Sequence, residues 1–102
     1  MINIKFNPIA ISDMNEIKEY IGQDSPEAAN RVINNIFDKI ESLSNFPNLG
    51  LSLSEKIGIT TRYKYLICDK YIVFYLFENE VISIMRVIHG KRDYLKLLDL
   101  EK

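Results

Sequence analysis

Three apolar runs in the carboxyl-terminal third of the chain follow one another with only short links between them. They cover about residues 61–68, 71–77 and 81–88, and the links are Asp69-Lys70 and Glu78-Asn79-Glu80. Links this short join neighbouring strands as hairpins, because a parallel crossover needs about a dozen residues or more. The sequence therefore predicts an antiparallel meander of three strands, and the rest of the fold must be built around it.

The amino-terminal part changes its apolar period after a few residues. Residues 2–6 alternate apolar and polar side chains, which is typical of a half-buried strand. Asn7-Pro8 then combines a helix N-cap with proline at the first helical position. The spacing of the apolar residues that follow predicts a helix from about Pro8 to Ile21, with Gly22 as its C′ residue.

A second helix start, Ser25-Pro26-Glu27, precedes the strongest helical pattern in the chain. Apolar residues from Ala29 to Leu43 recur every three or four positions, which predicts an amphipathic helix to about Asn45. Phe46-Pro47 ends it, since the residue before proline disfavours helix. Residues Gly50 to Thr61, which contain Ser52, Ser54 and Gly58, are predicted to form a surface loop.

The order of these elements is β-α-α-β-β-β, which predicts an α+β fold. We expect a helical hairpin packed on one face of a mostly antiparallel four-stranded sheet, followed by a short carboxyl-terminal helix or tail over residues 94–100. A chain of 102 residues is large enough for one core but not for two domains. We therefore expect a single domain over residues 1–102.

Composition excludes several classes of protein. The chain is 47% hydrophobic and 26% charged, which is ordinary for a globular protein, and it has no apolar run long enough to span a membrane. Residues 1–10 do not have the pattern of a signal peptide. One cysteine and one histidine are too few for a structural zinc site, and a single cysteine fits a reducing compartment. We expect a cytoplasmic protein with no metal, no cofactor and no membrane contact.

Charge is distributed unevenly along the chain. Residues 1–55 contain four Lys or Arg and eight Asp or Glu, a net charge of −4, whereas residues 56–96 contain eight and four, a net charge of +4. The strands thus carry the basic residues and the helices the acidic ones. Such polarity creates a local positive field in a protein whose overall charge is only −1, unless the two solvated faces differ in sign by chance.

The chain resembles the RelE/ParE superfamily of bacterial type II toxins over nearly its whole length. The strongest part of the resemblance is the string YIVFYLFENEVISIMRVIHGKRDY, residues 71–94. The helix starts at Asn7-Pro8 and Ser25-Pro26, the FPNLG segment at 46–50 and Arg62 before the second strand agree with it. The resemblance implies a growth-inhibiting toxin that is neutralised by a cognate antitoxin.

The superfamily contains two activities, and the resemblance implies one or the other. RelE-like members cleave mRNA on the ribosome, whereas ParE-like members inhibit DNA gyrase and are not nucleases. The ending RVIHGKRDY, residues 86–94, is closer to the ParE-like branch. A sequence pI near 5.8 also disfavours a protein that must bind ribosomal RNA. We therefore favour a gyrase inhibitor, with the mRNA endonuclease as the alternative; a family member that retains only antitoxin binding is a third hypothesis.

Arg86 and His89 are the residues most able to carry chemistry. Strand alternation predicts that Arg86 shares one face with Ile82, Ile84 and Ile88. A guanidinium in an apolar row must either pair with an acidic side chain of a helix or line a cleft that receives a phosphate or carboxylate. His89 is suited to proton transfer near neutral pH, or to a structural role at the strand end, and alternation sends it to the face opposite Arg86 unless Gly90 bends the chain.

Two sets of site residues follow from these hypotheses. Under the nuclease alternative the catalytic residues are Arg86, His89, Arg92 and Tyr94. The residues predicted to bind the target or the antitoxin are Arg62, Lys64, Arg86, His89, Lys91 and Arg92. The expected partners are the cognate antitoxin and either DNA gyrase or the ribosome with its mRNA. The sequence leaves a homodimer and a toxin–antitoxin hetero-oligomer open. Leucines at 49, 51, 53, 97, 98 and 100 either face the antitoxin or complete the core.

Overall fold

A computed structural model describes residues 2–100 of the chain. Both helices of the hairpin begin at the predicted caps: the side chains of Asn7 and Ser25 accept hydrogen bonds from the backbone N–H groups of Ile9 and Ala28 (2.9 and 3.1 Å). In chain order the elements are β1 Asn3–Phe6, α1 Pro8–Gly22, α2 Pro26–Ser42, β2 Leu51–Ser52, α3 Leu53–Ile57, β3 Lys64–Cys68, β4 Tyr71–Glu78, β5 Val81–His89 and α4 Tyr94–Leu97.

The strands form one sheet in the order β1-β5-β4-β3-β2. The meander of β3, β4 and β5 is antiparallel as predicted, and β2 adds to the outside of β3 in the same sense. β1 lies parallel to β5, with Asn3–Phe6 beside Val81–Ile84. Because β1 is so short, no strand within residues 2–100 covers the outer edge of β5 beyond Ile84.

Both faces of the sheet are covered. The helical hairpin packs on one face, where Met14 and Ile36 lie in the same core as Val73. The opposite face carries a second, smaller core that joins Leu53 of α3 to Leu98, the residue after α4. The fold class is therefore the predicted α+β arrangement, with an additional layer on the second face.

Met85 is an extra residue in β5. Two adjacent residues of β4 are paired with Ile84 and Arg86, so Met85 between them has no partner in the register. A bulge of this kind reverses the alternation of the side chains that follow it. Ile82 and Ile84 consequently belong to the hairpin core, whereas Ile88 belongs to the second core. The prediction that Arg86 and Ile88 share a face with Ile82 and Ile84 is wrong for this reason.

Three further predictions differ from the structure. Within residues 2–100 the sheet has five strands and not four, because Leu51–Ser52 pairs with β3. Residues Gly50 to Thr61 are not an open loop, since they include α3 and Leu53 is fully buried. Ser52 and Ser54 flank Leu53 and make the segment polar on average. The sequence pattern therefore does not indicate that Leu53 belongs to the second core. Gly22 lies inside α1, which is capped by Gln23 with right-handed backbone angles.

Candidate interaction groove

Arg86 is held by an ion pair within the fold. Its Nε and Nη2 donate hydrogen bonds to the two carboxylate oxygens of Asp13 in α1 (2.8 and 3.0 Å), and its Nη1 donates to the carbonyl oxygen of Leu97 (3.2 Å). Only 17% of the Arg86 side chain and 11% of the Asp13 side chain are exposed. The hydrogen bonding of its guanidinium to the Asp13 carboxylate raises the pKa of Arg86 above its ordinary value. The guanidinium is thus permanently charged and already bound by a helix acid.

Asp13 also binds a backbone N–H group on the edge of β5 that β1 does not cover. Its Oδ2 accepts a hydrogen bond from the backbone N–H of Val87 (3.0 Å), beyond the last residue that pairs with β1. The backbone N–H of a sheet edge needs such a partner when it is removed from water. The ion pair between Asp13 and Arg86 therefore joins α1, β5 and α4, and we refer to these two side chains as the clamp.

His89 ends β5 on the side of the helical hairpin. Its ring meets Tyr71 edge-on, with 5.4 Å between the ring centroids, and its Nδ1 accepts a hydrogen bond from the backbone N–H of Lys91 (3.1 Å). An accepting Nδ1 leaves the proton of the neutral imidazole on Nε2. This local turn fixes the ring, and Nε2–H remains available as a donor.

The four residues predicted for RNA cleavage are distributed over both faces of the sheet. Tyr94 packs on Phe74, with 5.3 Å between centroids, in the second core and away from the hairpin. Arg86 is bound to Asp13, whereas His89 and Arg92 line one groove on the hairpin side. The structure brings His89 and Arg92 together and leaves Tyr94 on the opposite face.

Apart from Arg86, which is bound to Asp13, the residues predicted to bind a partner fall into two groups at opposite ends of the sheet. Arg62 forms an exposed ion pair with Glu78, and Lys64 is paired with Tyr75 in the register. His89 lies at the other end, opposite Tyr71. Lys91 and Arg92 closely follow His89 in the sequence. Arg62 and Lys64 are therefore not part of the group formed by these three residues.

Lys70 is a basic residue that the sequence analysis did not include in either set. It lies in the turn between β3 and β4, and its carbonyl oxygen accepts a hydrogen bond from Gly90 N–H (2.8 Å). With His89, Gly90 and Lys91 it lines a depression of about 260 Å³. The signal was present in the sequence, because an antiparallel meander places the β3–β4 turn beside the end of β5.

We call Lys70, His89, Lys91 and Arg92 the basic corner. Within residues 2–100 the salt bridges are Arg62–Glu78 and Arg86–Asp13, so the three cations of the corner have no such partner. Two acids adjoin these cations in sequence: Asp93 accepts a hydrogen bond from Lys96 N–H and caps α4, and Asp69, beside Lys70 in the lining of the same cavity, forms no salt bridge within residues 2–100. Three exposed cations at one end of the sheet form a local positive field.

A groove of about 730 Å³ runs between α1 and the sheet and ends at the basic corner; we call it the α1–β5 groove. Its apolar lining includes Ile17 and Val32 from the helices and Tyr71 and Val87 from the sheet. Tyr20 stands at the rim and is 74% exposed. Burial raises the pKa of Tyr71, so its hydroxyl remains a neutral hydrogen-bond donor.

A second feature is the loop 46–51, which contains the FPNLG segment. Phe46, Leu49 and Leu51 are exposed, yet the loop is fixed by the buried Tyr75. The Tyr75 hydroxyl donates to the carbonyl oxygen of Pro47 (2.9 Å) and accepts from Gly50 N–H (2.9 Å). A Cβ atom at position 50 would lie 2.5 Å from that hydroxyl, so glycine is required there by close approach.

Neither a metal centre nor a membrane segment is found in the part of the chain that the structure describes. Residues 2–100 contain no group of three or more His, Cys, Asp or Glu placed to hold a metal ion. No helix among them is long and apolar enough to cross a membrane. Burial raises the pKa of the free thiol of Cys68, so that thiol is protonated at neutral pH.

Comparison with known proteins gives a consistent result. Residues 4–94 match the family described as the ParE toxin of the type II toxin–antitoxin system parDE. Toxin RelE2 of Caulobacter vibrioides is 28% identical over 83 residues, which is 81% of this chain and 89% of that protein.

Two solved structures share the fold. The chromosomal ParDE toxin–antitoxin system from P. aeruginosa contains a chain with a TM-score of 0.72 and 18% identity, covering 87% of this chain and 96% of that one. The YoeB-YefM complex from Staphylococcus aureus gives a TM-score of 0.56 and 17% identity, covering 88% and 98%.

Proposed function

Because the chain belongs to the ParE toxin family of type II toxin–antitoxin systems, we propose that it arrests growth by binding DNA gyrase and not by cleaving RNA. It is the toxin of such a pair. The match spans residues 4–94, which include the clamp and the basic corner. Family membership alone leaves open the choice between gyrase and RNA, so the argument for gyrase comes from the site.

The state of Arg86 is the observation that carries this proposal. Stabilising the extra charge of a phosphoryl transition state requires a cationic group that is free to contact it. Arg86 already donates to both oxygens of Asp13 and to the carbonyl of Leu97. Freeing it would leave the mostly buried Asp13 carboxylate unpaired, which is strongly unfavourable. Arg86 therefore has a structural role. A protein that acts by binding gyrase does not require a free arginine at this position for catalysis.

The separation of His89 from Tyr94 supports the same proposal. A general base and a general acid for RNA cleavage must both reach the same phosphate. Here the two side chains belong to opposite faces of the sheet, with Tyr94 packed on Phe74. The basic corner offers only a few cations in a chain of pI near 5.8, whereas binding to ribosomal RNA gains from many phosphate contacts.

Cleavage of mRNA on the ribosome is the second candidate function. It is favoured by the relative named Toxin RelE2 and by the position of His89 beside Arg92 and Lys91, which supplies a proton donor among cations. Under this alternative His89 is the catalytic acid or base, and Arg92 stabilises the phosphate.

A cognate antitoxin is the partner that we propose for the free protein. The solved structures that share the fold include a ParDE toxin–antitoxin system and YoeB-YefM toxin–antitoxin assemblies, one of them heterotetrameric. We propose a comparable hetero-oligomer here, with the α1–β5 groove as part of the contact.

Expression of the toxin alone in bacteria tests the proposed target. We expect growth arrest with filamentous cells, an induced DNA-damage response and intact mRNA, and the purified protein should inhibit supercoiling by gyrase. Replacement of His89 by alanine should leave this toxicity unchanged. Lys18→Ala, an exposed change on α1 outside the groove, is the matched control for expression and folding.

Two other outcomes would favour the remaining hypotheses. mRNA cut within codons, together with loss of toxicity in His89→Ala but not in Lys18→Ala, would establish the RNA-cleaving alternative and overturn the gyrase proposal. Absence of growth arrest from the well-folded wild-type protein would indicate a family member that has retained only antitoxin binding.

A further inference from the structure

We propose that the outer edge of β1 binds a second copy of the chain, through antiparallel pairing of the two β1 strands about a two-fold axis. β1 is the outermost strand on its side of the sheet, and within residues 2–100 it pairs only with β5. This surface is separate from the α1–β5 groove and from the basic corner, and the proposal does not depend on the target of the toxin.

The direction of the backbone groups shows which residues of β1 are available to a partner. The N–H groups of Asn3 and Asn7 donate to carbonyl oxygens of the turn before β5 and of β5 itself (3.3 and 2.9 Å). Backbone groups of successive residues point to opposite sides of a strand, so those of Ile4 and Phe6 point away from β5. An edge of this kind presents donors and acceptors to another strand.

An apolar surface lies on the hairpin side of this edge. Ile4 and Phe6 pack against the hairpin core but are only half-buried. Phe37 of α2 lies 5.8 Å from Phe6 between ring centroids and is still 43% exposed, and Ile11 of α1 is 47% exposed. Phe6, Ile11 and Phe37 line a cavity of about 330 Å³ that has no lining residue in common with the α1–β5 groove. The edge thus combines available backbone groups with uncovered apolar area, which is what strand addition requires.

The side chain of Lys5 restricts the register to one arrangement. Two antiparallel registers engage the backbone of both Ile4 and Phe6: Ile4 lies opposite either Ile4 or Phe6 of the second copy. The second of these places Lys5 directly opposite Lys5 in a closely spaced pair without hydrogen bonds, where like charges are unfavourable. The first, which we assign, places Lys5 opposite Asn3 and Phe6 opposite Ile2.

The other charged groups near the edge are compatible with this register. Lys5 of the second copy approaches Asn3 at the end of β1 where Glu80 lies, because the Glu80 carbonyl oxygen accepts from Asn3 N–H. On the hairpin side, Lys18 of α1 and Glu41 of α2 are both exposed, so the two signs are present together. No like charges therefore lie directly opposite each other on the two strands.

A second copy of the chain is the occupant that this edge fits best. A two-fold axis normal to the sheet joins two β1 strands side by side in the antiparallel sense and keeps both helical hairpins on one face. The half-buried apolar rows of the two copies then continue across the junction, with both Phe37 side chains on the same side. A net charge of only −1 per chain leaves little repulsion between the copies.

The size of the contact predicts a weak, reversible dimer. Pairing of residues 2–6 with the exposed side chains of Ile11 and Phe37 covers less than the roughly 800 Å² per partner of a standard interface. Sedimentation equilibrium of the purified chain, from about 10 μM to about 1 mM, should therefore show a monomer that becomes a dimer as the concentration rises.

Substitution of Asn3 tests the assigned register without removing an apolar side chain. Asn3→Lys places a cation directly opposite Lys5 of the second copy. Asn48→Lys is the matched control, because it makes the same exposed change in the loop 46–51 at the other edge of the sheet. Urea denaturation of each variant checks that the monomer remains folded.

We expect Asn3→Lys to raise the dimer Kd by about fivefold or more, because two-fold symmetry repeats the unfavourable pair, and Asn48→Lys to leave it within about twofold. The double variant Asn3→Lys/Lys5→Glu places opposite charges across the junction and should return the Kd to within about threefold of wild type.

Hydrogen exchange gives a second readout that needs no substitution. The amides of Lys5 and Asn7 face β5 and should be protected at every concentration. Those of Ile4 and Phe6 face the edge and should become protected only as the dimer forms.

Several outcomes would overturn the proposal. A chain that stays monomeric to about 1 mM has no such interface. A dimer that Asn3→Lys does not weaken, or in which the Ile4 and Phe6 amides stay unprotected, uses another surface. Protection of these amides in a monomeric chain by purified cognate antitoxin would assign the edge to that protein. None of the self-association measurements involves gyrase or growth arrest, so failure here is distinct from failure of the proposed function.

Discussion

Arg86 and the basic corner are cationic sites in or beside the carboxyl-terminal part of β5, yet their surroundings differ. Arg86 is mostly buried and makes three hydrogen bonds, two of them to the Asp13 carboxylate. Lys70, Lys91 and Arg92 are exposed and, within residues 2–100, have no salt bridge. A cation that is already bound maintains the fold, whereas an unpaired one is available to a partner.

The bulge at Met85 is the physical origin of this difference. Without the extra residue, Arg86 would point into the hairpin core with Ile82 and Ile84. With it, the side chain emerges on the other face and reaches Asp13 at the uncovered edge of β5. His89 lies three residues after Arg86, so the alternation of side chains places it on the opposite face, which is the hairpin side. One inserted residue thus separates the structural cation from the exposed ones.

The largest effect is expected when the clamp is broken. Arg86→Ala should lower the free energy of unfolding by about 3–5 kcal/mol, because it leaves the Asp13 carboxylate buried without its partner. Urea denaturation of the purified variant measures this change. Arg62→Ala is the matched control: it also removes an ion pair, but one whose side chains are 73% and 43% exposed, and its effect should stay below about 1 kcal/mol.

The double variant Asp13→Leu/Arg86→Met separates the cost of an unpaired buried charge from the loss of the ion pair itself. Removing both charges leaves no unpaired buried charge and takes away only the acceptor of Val87 N–H and one donor to the Leu97 carbonyl, so the double variant should be more stable than either single variant. If Arg86→Ala unfolds at the same urea concentration as wild type, Arg86 does not stabilise the fold. It would then contribute no more to stability than the exposed cations of the basic corner.

A smaller effect is expected at Tyr75, whose hydroxyl, like the guanidinium of Arg86, is already hydrogen-bonded within the fold. Tyr75→Phe should lower the free energy of unfolding by about 1–3 kcal/mol, since Gly50 N–H and the Pro47 carbonyl lose a buried partner. Thermal unfolding measures the change, and Tyr20→Phe, at the exposed rim, should have no effect. An equal result for the two variants would mean that the loop 46–51 is held by other contacts.

Most of the fold could be predicted from the sequence, because its signals are local. Caps at Asn7 and Ser25 and the two short turns of the meander specify the hairpin and three strands directly. The fifth strand could not be predicted, since Leu51–Ser52 is stabilised by pairing with β3 and by no period of its own. The burial of Leu53 likewise depends on a second core that no local pattern reveals.

The candidate site was only partly predictable. His89, Lys91 and Arg92 lie next to each other in the sequence and stay together in the structure. Lys70 was missed although the meander places its turn beside the end of β5. The partner of Arg86 could not be identified, because Asp13 lies far away in sequence and the bulge that directs Arg86 towards it leaves no recognisable signal.

The smallest expected effect on stability belongs to the basic corner, and it is the one that most directly tests whether the corner is free. Lys70→Ala and Arg92→Ala should each change the free energy of unfolding by less than about 0.5 kcal/mol, because exposed side chains without a partner contribute little. Urea denaturation at low salt checks this, with Lys18→Ala as the control. A loss of about 2 kcal/mol or more would show that the cation is anchored within the fold. The corner would then resemble the clamp, and its charges would not be available to a partner.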